Sequence, residues 1–119
     1  MHFQVIKDEY FSDIINHLKK RVPEFVSVFN DDKLIYPIIG EFGQFFIDNR
    51  EKEALFYKSI SFINESLKLG KGDTEDVIVL QVFQKIYESP RFIDKVRQSL
   101  EGQAKRIFEK YLQEYLKGT

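Results

Sequence analysis

Three polar side chains carry the spacing that metal chemistry would need. Glu9, Asp13 and His17 follow one another at steps of four, so on a helix they lie along one face, a turn apart. A carboxylate and an imidazole at that spacing can share a divalent cation, but a working site needs further ligands. They are missing: His2 is the only other histidine, there is no cysteine, and the paired histidines of a zinc-protease helix do not occur. The face reads as an exposed polar surface carrying an Asp–His pair. Ser59, Ser61 and Ser66 fall in helical stretches with no candidate base in a matched motif. No nucleophile elbow, P-loop or dinucleotide fingerprint is present. Acid-only catalysis is the one class the residue types leave open. The expectation is a non-enzyme with no cofactor and no metal.

Acids and tyrosines are better placed for binding. Asp31 and Asp32 precede a segment that carries Glu41 and Asp48, and Asp73, Glu75 and Asp76 crowd a turn. Most such acids cap helices or solubilise loops. If they converge in space, they form a phosphate-like patch for a basic protein, with Tyr36 as an aromatic anchor. The sequence has twelve Phe and six Tyr. Phenylalanines at helical spacing belong to the core, whereas a phenol tolerates an edge and is favoured at interfaces. Tyr10, Tyr36, Tyr57, Tyr111 and Tyr115 are the tyrosines to check for exposure. Lys105, Arg106, Lys110 and Lys117 interleave with Tyr111 and Tyr115, as a stacking surface for single-stranded nucleic acid would. Glu101, Glu109 and Glu114 interrupt that pattern, so a solvated amphipathic face is the better account, and no direct nucleic-acid contact is expected.

The elements that must position these residues are helices. Residues 53–89 predict a central αα-hairpin. Phe56, Ile60, Ile63 and Leu67 form one stripe. After the turn Gly70-Lys71-Gly72-Asp73, the run Val77–Phe83 with Ile86 and Tyr87 leaves almost no polar face, as in a buried helix. Gly70 suits a left-handed helix end, and Asp73 suits an N-cap. Upstream, Phe11, Ile14, Ile15, Leu18 and Val22 predict an amphipathic helix ended by Pro23. A short helix through Phe25, Val26 and Phe29 follows, then a turn at Asn30-Asp31-Asp32. Pro37 opens a helix with Ile38, Ile39, Phe42, Phe45 and Phe46 on its apolar face. Its Gly40 and Gly43, at roughly 1 kcal/mol each against alanine, imply a notch for a neighbouring helix. A docking partner is the other use of such a notch. Ser89 as N-cap and Pro90 start a last long helix to Lys117, with a kink at Gly102.

The class is therefore all-α: a single-domain bundle, residues 1–119, of five or six helices around the central αα-hairpin, with a long C-terminal helix. A chain of 119 residues with 43% hydrophobic and 31% charged residues is one ordinary globular domain. The absence of cysteine fits a reducing compartment. The opening MHFQVIKDEYF meets charge at Lys7 and lacks the apolar region of a signal peptide, and no run is long enough to span a membrane. A cytoplasmic location is expected. Net charge is −1, unevenly spread: residues 1–89 hold 15 acids against 11 Lys/Arg, and residues 90–119 hold 4 against 7. Neither part is charged enough to argue for nucleic acid.

One set of residues resembles a known family. Val22-Pro23-Glu24-Phe25, then Tyr36-Pro37, then Gly40-Glu41-Phe42 with Phe45-Phe46, then FINESLKLG and VIVLQVF, looks like a bacterial family of small helical domains of unknown function. Similar proteins are encoded among polymorphic toxin and contact-dependent growth inhibition loci, where they act as immunity proteins. The resemblance runs over residues 20–90 and carries no catalytic residue. It implies an inhibitor that binds a cognate toxin domain and blocks its active site or substrate path. A nuclease is the favoured target, because a basic nucleic-acid cleft attracts acids. The interface residues are then Asp31, Asp32, Tyr36, Glu41, Asp48, Asp73, Glu75 and Asp76. The alternative is a helical adaptor or regulatory protein-binding domain unrelated to toxins, and gene neighbourhood separates the two.

Overall fold

The computed structural model describes residues 7–118; His2 lies outside them. Among the described residues every regular element is helical, and no helix is long and apolar enough to cross a membrane. Seven helices stand among the described residues rather than five or six, because the first and the last predicted helices are each divided and the short one expected through Phe25–Phe29 is absent.

Helices α1 (Glu9–Ser12) and α2 (Ile14–Arg21) replace the single amphipathic helix. The break is Asp13, whose side chain takes the Asn16 amide at 2.5 Å instead of leaving the backbone helical. The apolar stripe survives the break: Ile14, Ile15, Leu18 and Val22 are all buried. Lys19, Lys20 and Arg21 close α2 and complement its dipole.

The short helix expected through Phe25–Phe29 does not form. Phe25 turns inward and Val26 outward, Ser27 inward and Val28 outward, an alternation of two rather than 3.6. Its donors are taken from outside the segment: the Glu41 carboxylate accepts both the Ser27 hydroxyl and the Val28 N–H (3.1 Å). Helix α3 (Ile35–Asp48) starts two residues before Pro37, which sits in the first turn where its missing N–H costs nothing.

Helix α4 (Glu53–Leu69) buries Phe56, Ile60, Phe62, Ile63 and Leu67. Gly70 joins it to the next helix in an extended conformation (φ −78°, ψ 172°), not a left-handed one. Glycine is needed there for space, since a Cβ would collide with the Thr74 side chain. Helix α5 covers residues 72–87: α-helical over Gly72–Ile78, a π turn over Val79–Phe83, and α-helical again over Gln84–Tyr87. Asp73 does not cap it. Lys71 holds the N-cap position, and the acceptor comes from far upstream, because Asp8 Oδ2 receives the Lys71 and Thr74 N–H groups at 2.9 and 2.8 Å. Asp8 Oδ1 also caps α1 through Phe11 N–H, at 3.0 Å.

The predicted notch is filled by the protein itself. A Cβ on Gly43 would overlap the Gln81 carbonyl of the π turn, and one on Gly40 would come within 2.8 Å of the Gln81 side chain. Lys85 adds a bond to the Gly40 carbonyl at 2.5 Å.

The single last helix is two: α6 (Pro90–Ser99) and α7 (Gly102–Lys117). Pro90 is at the first turn, but the Ser89 side chain makes no capping bond. At the break the Glu101 N–H goes to Asn64 Oδ1 (3.0 Å) and Gly102 takes φ +50°. Two aromatic clusters knit the layers. Phe42, Phe46, Phe56, Phe62 and Phe92 link α3, α4 and α6, with centroids 5.1–6.2 Å apart. Phe83, Tyr87, Phe108 and Tyr115 join α5 to α7.

Candidate functional site

Close approach of α3 to α5 at the two glycines brings their N-terminal turns together. Tyr36, in the first turn of α3, is 37% exposed. Its phenol is held above the usual value of 10.0, first by partial burial and then by the charges of Asp76 and Asp73. Those two carboxylates are exposed and form no ion pair among the described residues. On the opposite flank, Tyr111 of α7 donates to Glu75 Oε2 at 3.2 Å. The Tyr111 phenol is raised by burial and then by Glu75, with Asp76 contributing as well. The start of α5 is thus an acidic turn between two tyrosines from two other helices. Asp73 and Glu75 also complement the α5 dipole, which is the local reason for acids at this point. Leu80, one turn beyond Asp76, is 55% exposed, although it lies in the run that predicts full burial. Carboxylates, phenols and one aliphatic side chain can hold a guanidinium or ammonium group and pack its stem.

The other predicted interface residues do not join this turn and are engaged locally. Asp31 accepts the Lys33 N–H at 2.9 Å. Asp32 pairs with Lys19 at 2.9 Å. Glu41 holds the 27–28 loop, and Asp48, at the far end of α3, takes the Gln44 amide at 2.8 Å. Of the eight, Tyr36, Asp73 and Asp76 form one group and Glu75 borders it.

The metal-like spacing in the first helix resolves into a surface pair, with His17 Nε2 3.6 Å from Asp13 Oδ2. The His17 ring stacks on Tyr10, centroids 4.3 Å apart. Among the described residues no group of three His, Cys, Asp or Glu could hold a metal ion. Of the serines, Ser66 is spent on Phe62 O and on Tyr10, and Ser59 is buried. Of the tyrosines picked for exposure, Tyr57 is open at 57%, Tyr111 and Tyr115 are half-buried, and Tyr10 is buried against Ser66. Burial pushes the Tyr10 phenol up to about 12. On α7, Lys110 lies over the Tyr111 ring at 5.1 Å, and Glu109 is occupied by Arg97 at 2.5 Å.

Sequence reading missed three features. Leu80 is hidden in an apolar run, and only the packing shows which member faces water. Asp8 has no local partner that marks it as a cap for a helix more than sixty residues away. Val26 and Val28 could have been found from their alternation with Phe25 and Ser27. No protein-family model, curated protein or solved structure matches the chain.

Proposed function

We propose that this chain is an immunity protein: a non-enzymatic, cytoplasmic binder that neutralises a cognate bacterial toxin domain by covering its active site or substrate path. The frame is the bundle around the α4–α5 hairpin, and the binding face is the acidic turn at the start of α5. The observation that carries the reading is the grouping of Tyr36, Asp73 and Asp76, with two unpaired carboxylates beside an exposed phenol and Leu80 one turn away. A nuclease toxin offers the complementary surface, because a cleft that binds nucleic acid is basic. The carboxylates steer encounter, while Tyr36 and Leu80 supply the desolvated anchor that slows dissociation.

The test is co-expression with the toxin domain encoded beside this chain. Cells carrying both survive, and the two proteins copurify. Death at the same rate with and without this chain, together with no complex, overturns the reading in favour of an adaptor domain with an unrelated protein partner.

A further inference from the structure

The connection between α3 and α4 carries Arg50, and the first turns of α6 carry Arg91 and Lys95. All three line one pocket of about 510 Å³, which opens where that connection meets α6. Lys19, Arg21, Lys58 and Arg97 each hold a carboxylate, whereas none of these three forms an ion pair among the described residues. Glu51 is the one acid on the pocket wall, and it pairs with none of them. Three cations against one carboxylate leave a local charge of +2.

Two of the cations have a structural use. Arg50 donates to the Ile47 carbonyl at 2.9 Å and Lys95 to the Arg50 carbonyl at 2.6 Å, so both satisfy acceptors past the end of α3. Neither bond neutralises a charge. Lys95 is half-buried, with its ammonium 4.3 Å from the Phe56 ring centroid, and a partly desolvated cation gains from a counter-charge. Arg91 has no such use. Its side chain is exposed, makes no hydrogen bond among the described residues and stands in the first turn of α6, where the helix dipole disfavours a cation. An anion entering the pocket relieves that repulsion. Ser89 beside it offers a hydroxyl that makes no capping bond.

Two guanidinium forks and an ammonium suit an oxyanion with several acceptor oxygens, and a charge of +2 matches the dianion of a phosphate monoester. The pocket also has the roughly 300–1,000 Å³ of a small-molecule site, more than a bare phosphate fills. Pro90 and Phe92 supply apolar wall for the carbon group that an ester carries. A membrane contact would want exposed apolar side chains beside the cations. None of the nine large hydrophobics exposed among the described residues lines this pocket.

We propose that the pocket binds a small, soluble phosphate monoester, its phosphoryl oxygens held by Arg50, Arg91 and Lys95 and its carbon group laid against Pro90 and Phe92. The site shares no residue with the acidic turn of α5 and does not depend on the toxin-binding reading.

Phenyl phosphate titrated into the full chain at about pH 8, where the ester is a dianion, tests this by amide NMR. Shifts concentrate at residues 50–51 and 89–95 and saturate with a Kd below about 1 mM. Phenol alone moves nothing. Inorganic phosphate moves the same amides but binds more weakly, for want of the ring. Arg91→Gln weakens phenyl phosphate binding about tenfold or more, as the loss of a charge-assisted hydrogen bond implies, and leaves circular dichroism unchanged. Glu51→Gln tightens binding, a gain that misfolding cannot mimic. Shifts that scatter over the basic residues and vanish in chloride of equal ionic strength overturn the proposal. So does an Arg91→Gln chain that binds like wild type, or inorganic phosphate that binds as tightly as the ester. Vesicles containing phosphatidic acid that retain the chain, when phenyl phosphate fails to saturate it, overturn it in favour of a membrane contact.

Discussion

Asp8 shows how much one side chain can organise. Its carboxylate is buried and receives three backbone N–H groups from two helices. Burial alone would raise its pKa, but the bonds from Thr74, Phe11 and Lys71 outweigh that and hold it below the usual 3.8. A depressed folded value means the ionised group stabilises fully above the unfolded pKa and loses that contribution as pH falls through the folded one. Asp8→Asn should therefore cost about 1–3 kcal/mol at neutral pH. The gap to wild type should narrow once the pH drops below that usual carboxylate value. Urea unfolding at both pH values measures this, and equal stability at neutral pH would show the cap to be idle. Gly43 is the steric counterpart. Its missing Cβ lets the Gln81 carbonyl sit against the α3 backbone, and a carbonyl in a helix cannot swing aside as a long side chain can. Gly43→Ala should cost about 1–3 kcal/mol through overpacking. A thermal melt indistinguishable from wild type would mean the two helices can separate without loss.

At the level of elements, the division of the last helix decides where the basic tail lies. Val96 and Leu100 pack inward at the end of α6, and Ala104, Ile107, Phe108 and Leu112 pack inward along α7. The spacing between the two sets is close enough to one helical period that the sequence pattern runs on unbroken. Two residues interrupt it: Glu101, whose N–H is captured by Asn64, and Gly102 at φ +50°. No atom blocks a Cβ on Gly102, so Gly102→Ala isolates the backbone term. It should destabilise by about 1–2 kcal/mol, the cost of the left-handed region for an L-residue. Chemical denaturation reads this directly. A neutral or stabilising alanine would mean that the break relaxes into the continuous helix. Arg97 to Glu109 then bridges α6 and α7 across the break.

For the whole molecule, a net charge of −1 rules out long-range steering by total charge, so any electrostatic guidance is local. Asp73 and Asp76 are exposed at the start of α5 and carry no structural hydrogen bond among the described residues. Reversing both, Asp73→Lys with Asp76→Lys, should leave the helical circular dichroism signal in place. Association with a basic partner should slow and lose part of its salt dependence. Tyr36→Ala should act mainly on the dissociation rate, because anchors work after encounter. Stopped-flow association at two salt concentrations separates these effects. A complex whose on-rate ignores the charge reversal would move the contact away from the acidic turn while leaving toxin binding itself standing.

Helix class, the apolar stripes and the paired glycines were all legible in the sequence, because each rests on spacing within one segment. The stripes Ile14–Val22 and Phe56–Leu67 are buried as their period demands, and Gly40 and Gly43 mark a close approach, as two tolerated glycines in one helix imply. Contacts between distant segments decided the rest. Asp8 rather than Asp73 caps α5, Glu41 holds the 25–29 segment out of a helix, and Asn64 ends α6. In each case a side chain from elsewhere supplies the hydrogen-bond partner that local propensity would have sought nearby. The candidate site divides the same way. Acids at a helix start follow from the dipole and can be read locally, whereas the charges of Asp73 and Asp76 act on Tyr36 through the packing of α3 on α5, which two bare glycine faces permit.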